Sequence, residues 1–201
     1  HRRRDRTPDR PRDRRERRHP VKQRLRIGIL DLIARERTRS PWARLMCPNL
    51  ASIMPQAIAV WCEEFGHEVF YETFTGSEDL TRALPRDVDL LFMCSFTRTA
   101  YLAYAVSNLF RRRGVVTVLG GPHARAYPDD AASYFDYVVG FCDRGLIRDL
   151  LQAFSRQPDK GLRLGAKRHP EHFPSLPERW HYVRHNLAKA SFVGVVPMVA
   201  S

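Results

Sequence analysis

The sequence has no apolar run of the about 18 residues that a membrane-spanning helix requires. Its basic beginning is not followed by the apolar core of a secretory signal peptide. We therefore expect a cytoplasmic protein with no membrane contact. The four cysteines, Cys47, Cys62, Cys94 and Cys142, lack the spacing of zinc ligands or of a redox pair. Without an export signal, they are expected to be reduced thiols.

Positive charge is concentrated at the N-terminus. The first 26 residues hold 13 Lys or Arg and 4 Asp or Glu, whereas the other 175 residues contribute only +3 to the net charge of +12. Residues 1–23 have almost no apolar and no aromatic side chains, which predicts a disordered Arg-rich tail. A nucleic-acid-binding arm is one interpretation of this tail. The interspersed Asp and Pro residues favour a solvated leader instead.

Apolar runs that alternate with helical patterns predict the fold. The third and fourth runs are almost continuously apolar, as expected of parallel strands buried on both faces. Helical spacing and a terminating glycine indicate helices over 50–65 and 100–112. This pattern predicts a doubly wound, Rossmann-like or flavodoxin-like α/β domain over residues 24–155, with a five-stranded parallel sheet in the order 2-1-3-4-5. The five runs are 25–31, 67–72, 88–94, 115–119 and 135–139.

Residues directly after the predicted strands are candidates for ligand binding, because open parallel sheets bind ligands at the carboxyl ends of their strands. The paired glycines after strand four permit close backbone approach to a flat or phosphorylated ligand, although a tight turn without a ligand has the same sequence. Hydroxyls after strand three either cap a helix or bind a ligand. The candidates are Ser95, Phe96, Thr97, Gly120, Gly121, Pro122, His123 and Gly140.

A long segment follows Asp31 at the same edge of the sheet. This segment, residues 32–49, has enough apolar side chains to cover a large hydrophobic ligand.

Two histidine pairs near the C-terminus have helical spacing but no acidic or cysteine partner at ligand spacing. They are interpreted as surface histidines, and no metal ligand is predicted. The pairs are His169 with His172 and His181 with His185.

The pattern changes after residue 155. Residues 156–190 are rich in Lys, Arg, His and Pro, which predicts a linker with a short helix around 178–188. Residues 191–201 are mostly apolar and are predicted to form a strand that begins another domain. Because the chain starts at His1 and stops directly after this apolar run, we expect it to be a fragment of a longer protein.

Together these features resemble the cobalamin-binding domain that precedes a radical S-adenosylmethionine domain. The resemblance covers residues 24–201. Its strongest part is the sequence VTVLGGPHA at 116–124, followed by YPDDA at 127–131 and FDYVVG at 135–140. The resemblance implies a parallel sheet of the cobalamin-binding type, with cobalamin lying on the ends of the strands.

The resemblance also implies roles for residues and domains. In such domains the positions of Ser95, Thr97, Gly120 and Gly121 contact the corrin ring and its nucleotide tail. The chain would be the cobalamin-binding module of a methyltransferase or related radical-transfer enzyme. Its partner, a C-terminal radical domain truncated within residues 191–201, would carry a 4Fe-4S iron–sulfur cluster and S-adenosylmethionine. The fragment alone would not be catalytic, because no Cys-x3-Cys-x2-Cys motif precedes Ser201.

Two positions depart from the family pattern. Cobalamin domains that bind cobalt through histidine carry Asp-x-His-x-x-Gly after strand one, but Asp31 is followed by Leu-Ile-Ala-Arg-Glu. The radical-enzyme branch commonly lacks this histidine as well. After strand five the family often has Gly-Glu-Gly-Glu, whereas residues 140–143 are Gly-Phe-Cys-Asp.

A phospho-acceptor receiver domain of the same fold is an alternative, since it also has an acidic residue after strand one. A receiver requires an Asp after strand three and a Lys after strand five. This chain has Cys94-Ser95 and Gly140-Phe141 at those positions. The sequence therefore favours cobalamin binding over a signalling function.

Overall fold

A computed structural model describes residues 24–33, 49–50, 52–75, 78–168, 170, 172–189 and 194–195. The predicted N-terminal tail and most of the segment that follows Asp31 lie outside these residues. The strands are β1 (Arg26–Leu32), β2 (Asn49–Leu50), β3 (Glu68–Phe74), β4 (Leu90–Ser95), β5 (Val116–Gly120), β6 (Tyr137–Val139), β7 (Leu162–Leu164) and β8 (Gly194–Val195). The helices are α1 (Ile53–Glu64), α2 (Leu80–Ala83), α3 (Ala100–Arg111), α4 (Pro122–Ala126), α5 (Pro128–Ala132), α6 (Arg144–Gln152) and α7 (Leu176–Ala188).

The central sheet has six parallel strands in the order β3-β1-β4-β5-β6-β7. The predicted α/β class and parallel sheet are confirmed, and the first five strands follow the predicted order. The predicted number of five strands is wrong, because Leu162–Leu164 pairs with β6 as a sixth strand. This edge strand has only three residues and two of them are exposed, so no apolar pattern marks it in the sequence.

Both faces of the sheet are covered by helices. Side chains from alternate positions of β1, β4 and β5 pack against α1, α6 and α7 on one face, around Trp61 and Ile147. The other alternate positions pack against α2 to α5, around Phe110 and Phe135. Because both faces are buried, all six residues of β4 are buried, which explains its continuously apolar sequence.

Helix α7 packs on this domain, although the sequence pattern predicts a linker at 156–190. The helix begins where the Ser175 amide and hydroxyl both donate to the Glu178 carboxylate, at 2.6 Å each. Tyr182 and Val183 are buried. The buried Arg179 donates from Nη1 to the Gln56 Oε1 atom of α1 at 2.6 Å, and from Nε to the carbonyl oxygen preceding Ser175 at 2.9 Å. Polar contacts thus fix α7 against α1.

A second, two-stranded sheet joins distant parts of the chain. β8 pairs in parallel with β2, so that Asn49 lies opposite Gly194 and Leu50 opposite Val195. β2 lies at the end of the segment that follows β1, and β8 lies within the predicted strand at 191–201. Within the described residues, no helix has the length and apolar composition needed to cross a membrane.

We predict that Arg179→Ala lowers the free energy of unfolding by about 3 kcal/mol, because two buried acceptors lose a charged donor. The matched control is Arg184→Ala on the exposed side of the same helix, which should change stability by less than about 0.5 kcal/mol. Urea unfolding followed by circular dichroism measures both. Equal stabilities of the two variants would contradict the role given to Arg179.

Candidate functional site

A cavity of about 180 Å³ opens at the carboxyl ends of β1, β4, β5 and β6. Its floor is the face of the sheet that carries α1 and α6, and these two helices supply its walls. The turn after β5 and the turn after β6 form its mouth. The lining includes Ile29, Phe92, Val118 and Val139 from the sheet, Met54, Pro55, Ile58 and Ile147 from the helices, and Gly120, Gly121, Pro122, Arg125, Gly140, Phe141 and Cys142 near the mouth.

The cavity is apolar, and the described residues place no ionised group in its interior. Two thiols, Cys94 and Cys142, line it. Burial raises the pKa of Cys94 far above its usual range, and the charge of Asp31 adds to this effect. Burial likewise raises the pKa of Cys142 to about 12. Both thiols are therefore neutral near pH 7 and behave as small apolar groups.

The predicted glycine pair forms the side of the mouth that follows β5. Gly121 has φ +93° and ψ −174°, a backbone conformation that is open essentially to glycine alone. A Cβ atom there would lie 2.9 Å from Cys94 Sγ and 3.1 Å from the backbone N and O of Ser95. At Gly120 the one atom of the described residues within 4 Å of a Cβ atom would be the Met93 carbonyl oxygen, at 3.9 Å. Gly121 thus brings the turn against β4, and Gly120 leaves space at the cavity.

The predicted residues after β4 are placed differently. Ser95 is buried, and its hydroxyl donates to the Phe96 carbonyl oxygen at 2.9 Å and lies 3.0 Å from the Thr99 hydroxyl. Phe96 and Thr97 are exposed. None of these residues is among the described residues that line the cavity. The structure therefore brings Gly120, Gly121, Pro122 and Gly140 together at the cavity, and places Ser95, Phe96 and Thr97 beside it.

His123 also lies away from the cavity, within a hydrogen-bonded row on the opposite side of the turn. Its Nε2 atom is 2.6 Å from the Tyr104 hydroxyl, which donates to the Asp130 carboxylate at 2.7 Å. Its Nδ1 atom is 3.4 Å from the Thr97 hydroxyl. Burial lowers the pKa of His123, and the Asp130 charge opposes that effect. A neutral ring that donates from Nε2 and accepts at Nδ1 satisfies this row.

Asp31, the penultimate residue of β1, is fully buried. It accepts hydrogen bonds from the Ser52 amide at 2.8 Å and the Ser52 hydroxyl at 3.0 Å, directly before α1. Burial raises the pKa of Asp31 to about 6, although both hydrogen bonds from Ser52 lower it. The acidic residue predicted at the ligand edge therefore anchors the beginning of the helix that forms one wall of the cavity.

The turn after β6 completes the mouth. The Gly140 amide donates to the Leu164 carbonyl oxygen of β7 at 2.9 Å. Asp143 caps α6 by accepting from the Leu146 amide at 2.7 Å. The guanidinium of Arg125 lies 4.2 Å from the centre of the Phe141 ring. Gly140, predicted as a ligand residue, thus lies at the border between the cavity and the added sixth strand.

The predicted histidine pairs can be followed only in part. His185 lies 3.1 Å from a carboxylate oxygen of Glu72, and His181 packs edge-on against the Tyr182 ring. His169 lies outside the described residues. In the part of the chain that the structure describes, no group of three or more His, Cys, Asp or Glu side chains is arranged to hold a metal ion.

Several lining residues were not predicted as site residues. Met54 and Ile58 belong to the apolar stripe of the predicted helix 50–65, and a stripe facing a core has the same sequence as one facing a cavity. Phe141 directly follows the predicted Gly140, and Arg125 lies in α4, four residues after the predicted Gly121. Closeness in sequence to these glycines is the only signal that distinguishes Arg125 and Phe141 from other surface residues.

Comparison with known proteins gives a partial similarity. No protein-family profile matches the chain. Over 53 residues the chain is 40% identical to the bacteriochlorophyllide d C-8(2)-methyltransferase of Chlorobaculum tepidum. This similarity covers 26% of the chain and 12% of that protein's length. The chain is therefore similar to a small part of a methyltransferase.

We predict that Gly121→Ala lowers the free energy of unfolding by about 3 kcal/mol, because the added methyl combines a strained backbone with contacts near 3 Å. Gly114→Ala is the matched control. Gly114 also has positive φ, but a Cβ atom there would meet no described atom within 4 Å, so about 1–2 kcal/mol is expected. Thermal or urea unfolding compares them, and an equal loss in both would show that contact with β4 is unimportant.

We predict that Asp31→Asn is more stable than the wild type at about pH 8, by up to about 3 kcal/mol. The folded pKa is raised, so the folded protein holds a proton that the unfolded chain releases above about pH 4. Wild-type stability should therefore fall as pH rises from about 4 to 6, and the advantage of the variant should vanish near pH 4.

Urea unfolding across this pH range measures the difference between the two proteins. The control is Asp149→Asn, an exposed position on α6, which should alter stability by less than about 0.5 kcal/mol. A pH-independent difference between Asp31→Asn and the wild type would contradict the burial of an ionisable Asp31.

Proposed function

We propose that this domain binds cobalamin for an enzyme that transfers a methyl group or a related group. The observation that carries the proposal is the apolar cavity beside Gly120 and Gly121, at the carboxyl ends of a parallel sheet. Ligands of open α/β sheets bind at this edge. The resemblance of residues 116–140 to cobalamin domains supports the identity of the ligand.

The residues present fit the separate chemical parts of cobalamin. The nucleotide tail ends in an aromatic base, which prefers an apolar environment. A dry apolar cavity of roughly 150 Å³ accommodates benzene, so the cavity of about 180 Å³ has room for an aromatic ring system. Val118 and Gly120 would lie under this base, with Met54 and Ile58 opposite. The corrin ring would remain outside, against the strand ends.

The residues of this chain would bind and orient cobalamin and exclude water from it. The reactive chemistry would belong to the cofactor. Cobalamin, when bound, supplies a cobalt centre that can carry an alkyl group between a donor and an acceptor. The chain provides no histidine two residues after Asp31, and the Asp31 carboxylate is engaged by Ser52. We infer that cobalamin is recognised by the cavity that holds its nucleotide tail, rather than by a bond between cobalt and the Asp31 carboxylate.

The similarity to a methyltransferase over 53 residues supports the proposed reaction class. In the proposed arrangement, a radical domain that begins within residues 191–201 would hold the 4Fe-4S cluster and S-adenosylmethionine. The three cysteines within the described residues are all buried, two of them in the cavity wall. They are therefore unsuited to serve as ligands of that cluster.

The receiver alternative is not favoured by the geometry of Asp31. The acidic residue after strand one of a receiver must be accessible to the ligands of the phosphorylation site. Asp31 is fully buried, and both of its oxygens accept hydrogen bonds from Ser52. The Arg-rich tail, on which the nucleic-acid alternative depends, lies outside the described residues, and no described feature favours that function.

The decisive experiment is reconstitution of the 201-residue chain with hydroxocobalamin, followed by desalting and an absorbance spectrum. We predict one retained corrin per chain. Gly120→Leu should weaken binding by at least about tenfold, because its side chain would occupy the cavity while meeting little resistance from the backbone. The matched control is Ala153→Leu, which introduces the same leucine side chain at an exposed position after α6 and should bind normally.

Unfolding curves of both variants must show that they remain folded under the binding conditions. Retention of no corrin by the folded wild type would overturn the proposal for this chain. Equal affinity of the wild type and Gly120→Leu would show that the cavity is not the binding site, even if cobalamin is bound.

A further inference from the structure

Arg125 differs from the other residues of the cavity in carrying a charge. It is the one charged side chain among the described residues that line it. Its guanidinium lies over the Phe141 ring, 4.2 Å from the ring centre. Seven other described arginines form ion pairs with carboxylates, among them Arg111 with Asp136, Arg144 with Glu64, and Arg163 with Asp129. No such pair with a described residue is formed by Arg125.

Arg125 stands at a border between two spaces. It lines the apolar cavity and also a more open cleft of about 280 Å³ over the ends of β6 and β7. Gly140 and Phe141 line both spaces as well, whereas Arg163 lines only the open cleft. A ligand that enters the cavity from this side must therefore pass the Arg125 guanidinium.

The apolar cavity and the open cleft differ in their access to water, and this difference determines where an anionic group of a ligand can lie. An ionised phosphate cannot be transferred into the apolar interior without a large desolvation penalty. At the mouth it remains partly hydrated and meets a planar guanidinium, whose fork of donors matches phosphate oxygens. Stacking on Phe141 restricts the guanidinium before the ligand arrives, which reduces the entropy lost on binding.

We propose that Arg125 binds the phosphate of a ligand whose aromatic base occupies the apolar cavity. Resting on the proposed function, this phosphate is the phosphodiester of the cobalamin nucleotide tail. Arg125 then acts as a specificity residue that distinguishes corrinoids with a nucleotide tail from those without one. A free nucleotide has the same combination of base and phosphate, so the experiment must separate these two sources.

The test combines two corrinoids with matched arginine variants in the full chain. Aquacobalamin carries the tail, and diaquacobinamide lacks its phosphate, ribose and base. Arg125→Gln is expected to weaken aquacobalamin binding about tenfold to a hundredfold, while cobinamide affinity stays within about twofold of the wild type. Arg125→Lys should recover part of the loss. Arg148→Gln, at an exposed position on α6, is the control and should bind both corrinoids normally.

Ionic strength gives a second readout that does not depend on measurable cobinamide binding. Aquacobalamin affinity of the wild type should fall as salt increases, because salt screens the contact between guanidinium and phosphate. This fall should be much smaller in Arg125→Gln. Equal weakening of both corrinoids, unchanged aquacobalamin affinity, or an unaltered salt dependence in Arg125→Gln would overturn the assignment.

Adenosine monophosphate serves as the probe for the alternative source. If the wild type binds this nucleotide but not aquacobalamin, and Arg125→Gln abolishes binding, Arg125 is a phosphate-binding residue and cobalamin is the wrong ligand. If the folded wild type binds neither probe, both the assignment and the proposed function are overturned. If aquacobalamin binds with no dependence on Arg125, only the assignment fails.

Discussion

The turn after β5 passes so close to the end of β4 that a Cβ atom at Gly121 would lie 2.9 Å from Cys94 Sγ. Only a residue without a side chain permits this approach at φ +93°. The contact fixes where the chain leaves the sheet, and α4 begins one residue later. Because α4 is short, this exit point also determines where Arg125 stands relative to the cavity.

Alternation along β5 then decides which side chains face the ligand edge. Val118 and Gly120 lie toward α1 and α6, whereas Leu119 packs with the helices of the opposite face. His123 follows the turn on that opposite side and is held by Tyr104. The short segment 118–123 therefore contributes to two different environments. One is the apolar cavity, which is bordered by glycine, and the other is the row of hydrogen-bonded polar side chains that ends at the exposed Thr97. Proximity in sequence to the glycine pair does not place a residue in the cavity.

Much of this architecture could be predicted from the sequence, because its signals are local. The continuously apolar β4 and the glycines that follow α1 and α3 indicate buried parallel strands and helix ends. β7 could not be predicted, since its pairing with β6 is a tertiary contact of three mostly exposed residues. The packing of α7 could not be predicted either. It buries Arg179, and arginine usually indicates a solvent-exposed surface. The glycines in the sequence identified the mouth of the cavity. Only the direction in which each residue faces in the structure shows that Gly120 lines the cavity and that Ser95 does not.

The cavity depends on two contacts at strand ends that differ in their physical nature. The contact of Gly121 with β4 is steric, and it positions the mouth of the cavity. The contact of Asp31 with Ser52 is polar and joins the end of β1 to the beginning of α1. It positions the wall that carries Met54 and Ile58. Burial of Asp31 opposes its ionisation, so this wall is held by a group that is unfavourable to bury. A carboxylate with two acceptor oxygens nevertheless satisfies both the Ser52 amide and hydroxyl, which an apolar side chain would leave without partners.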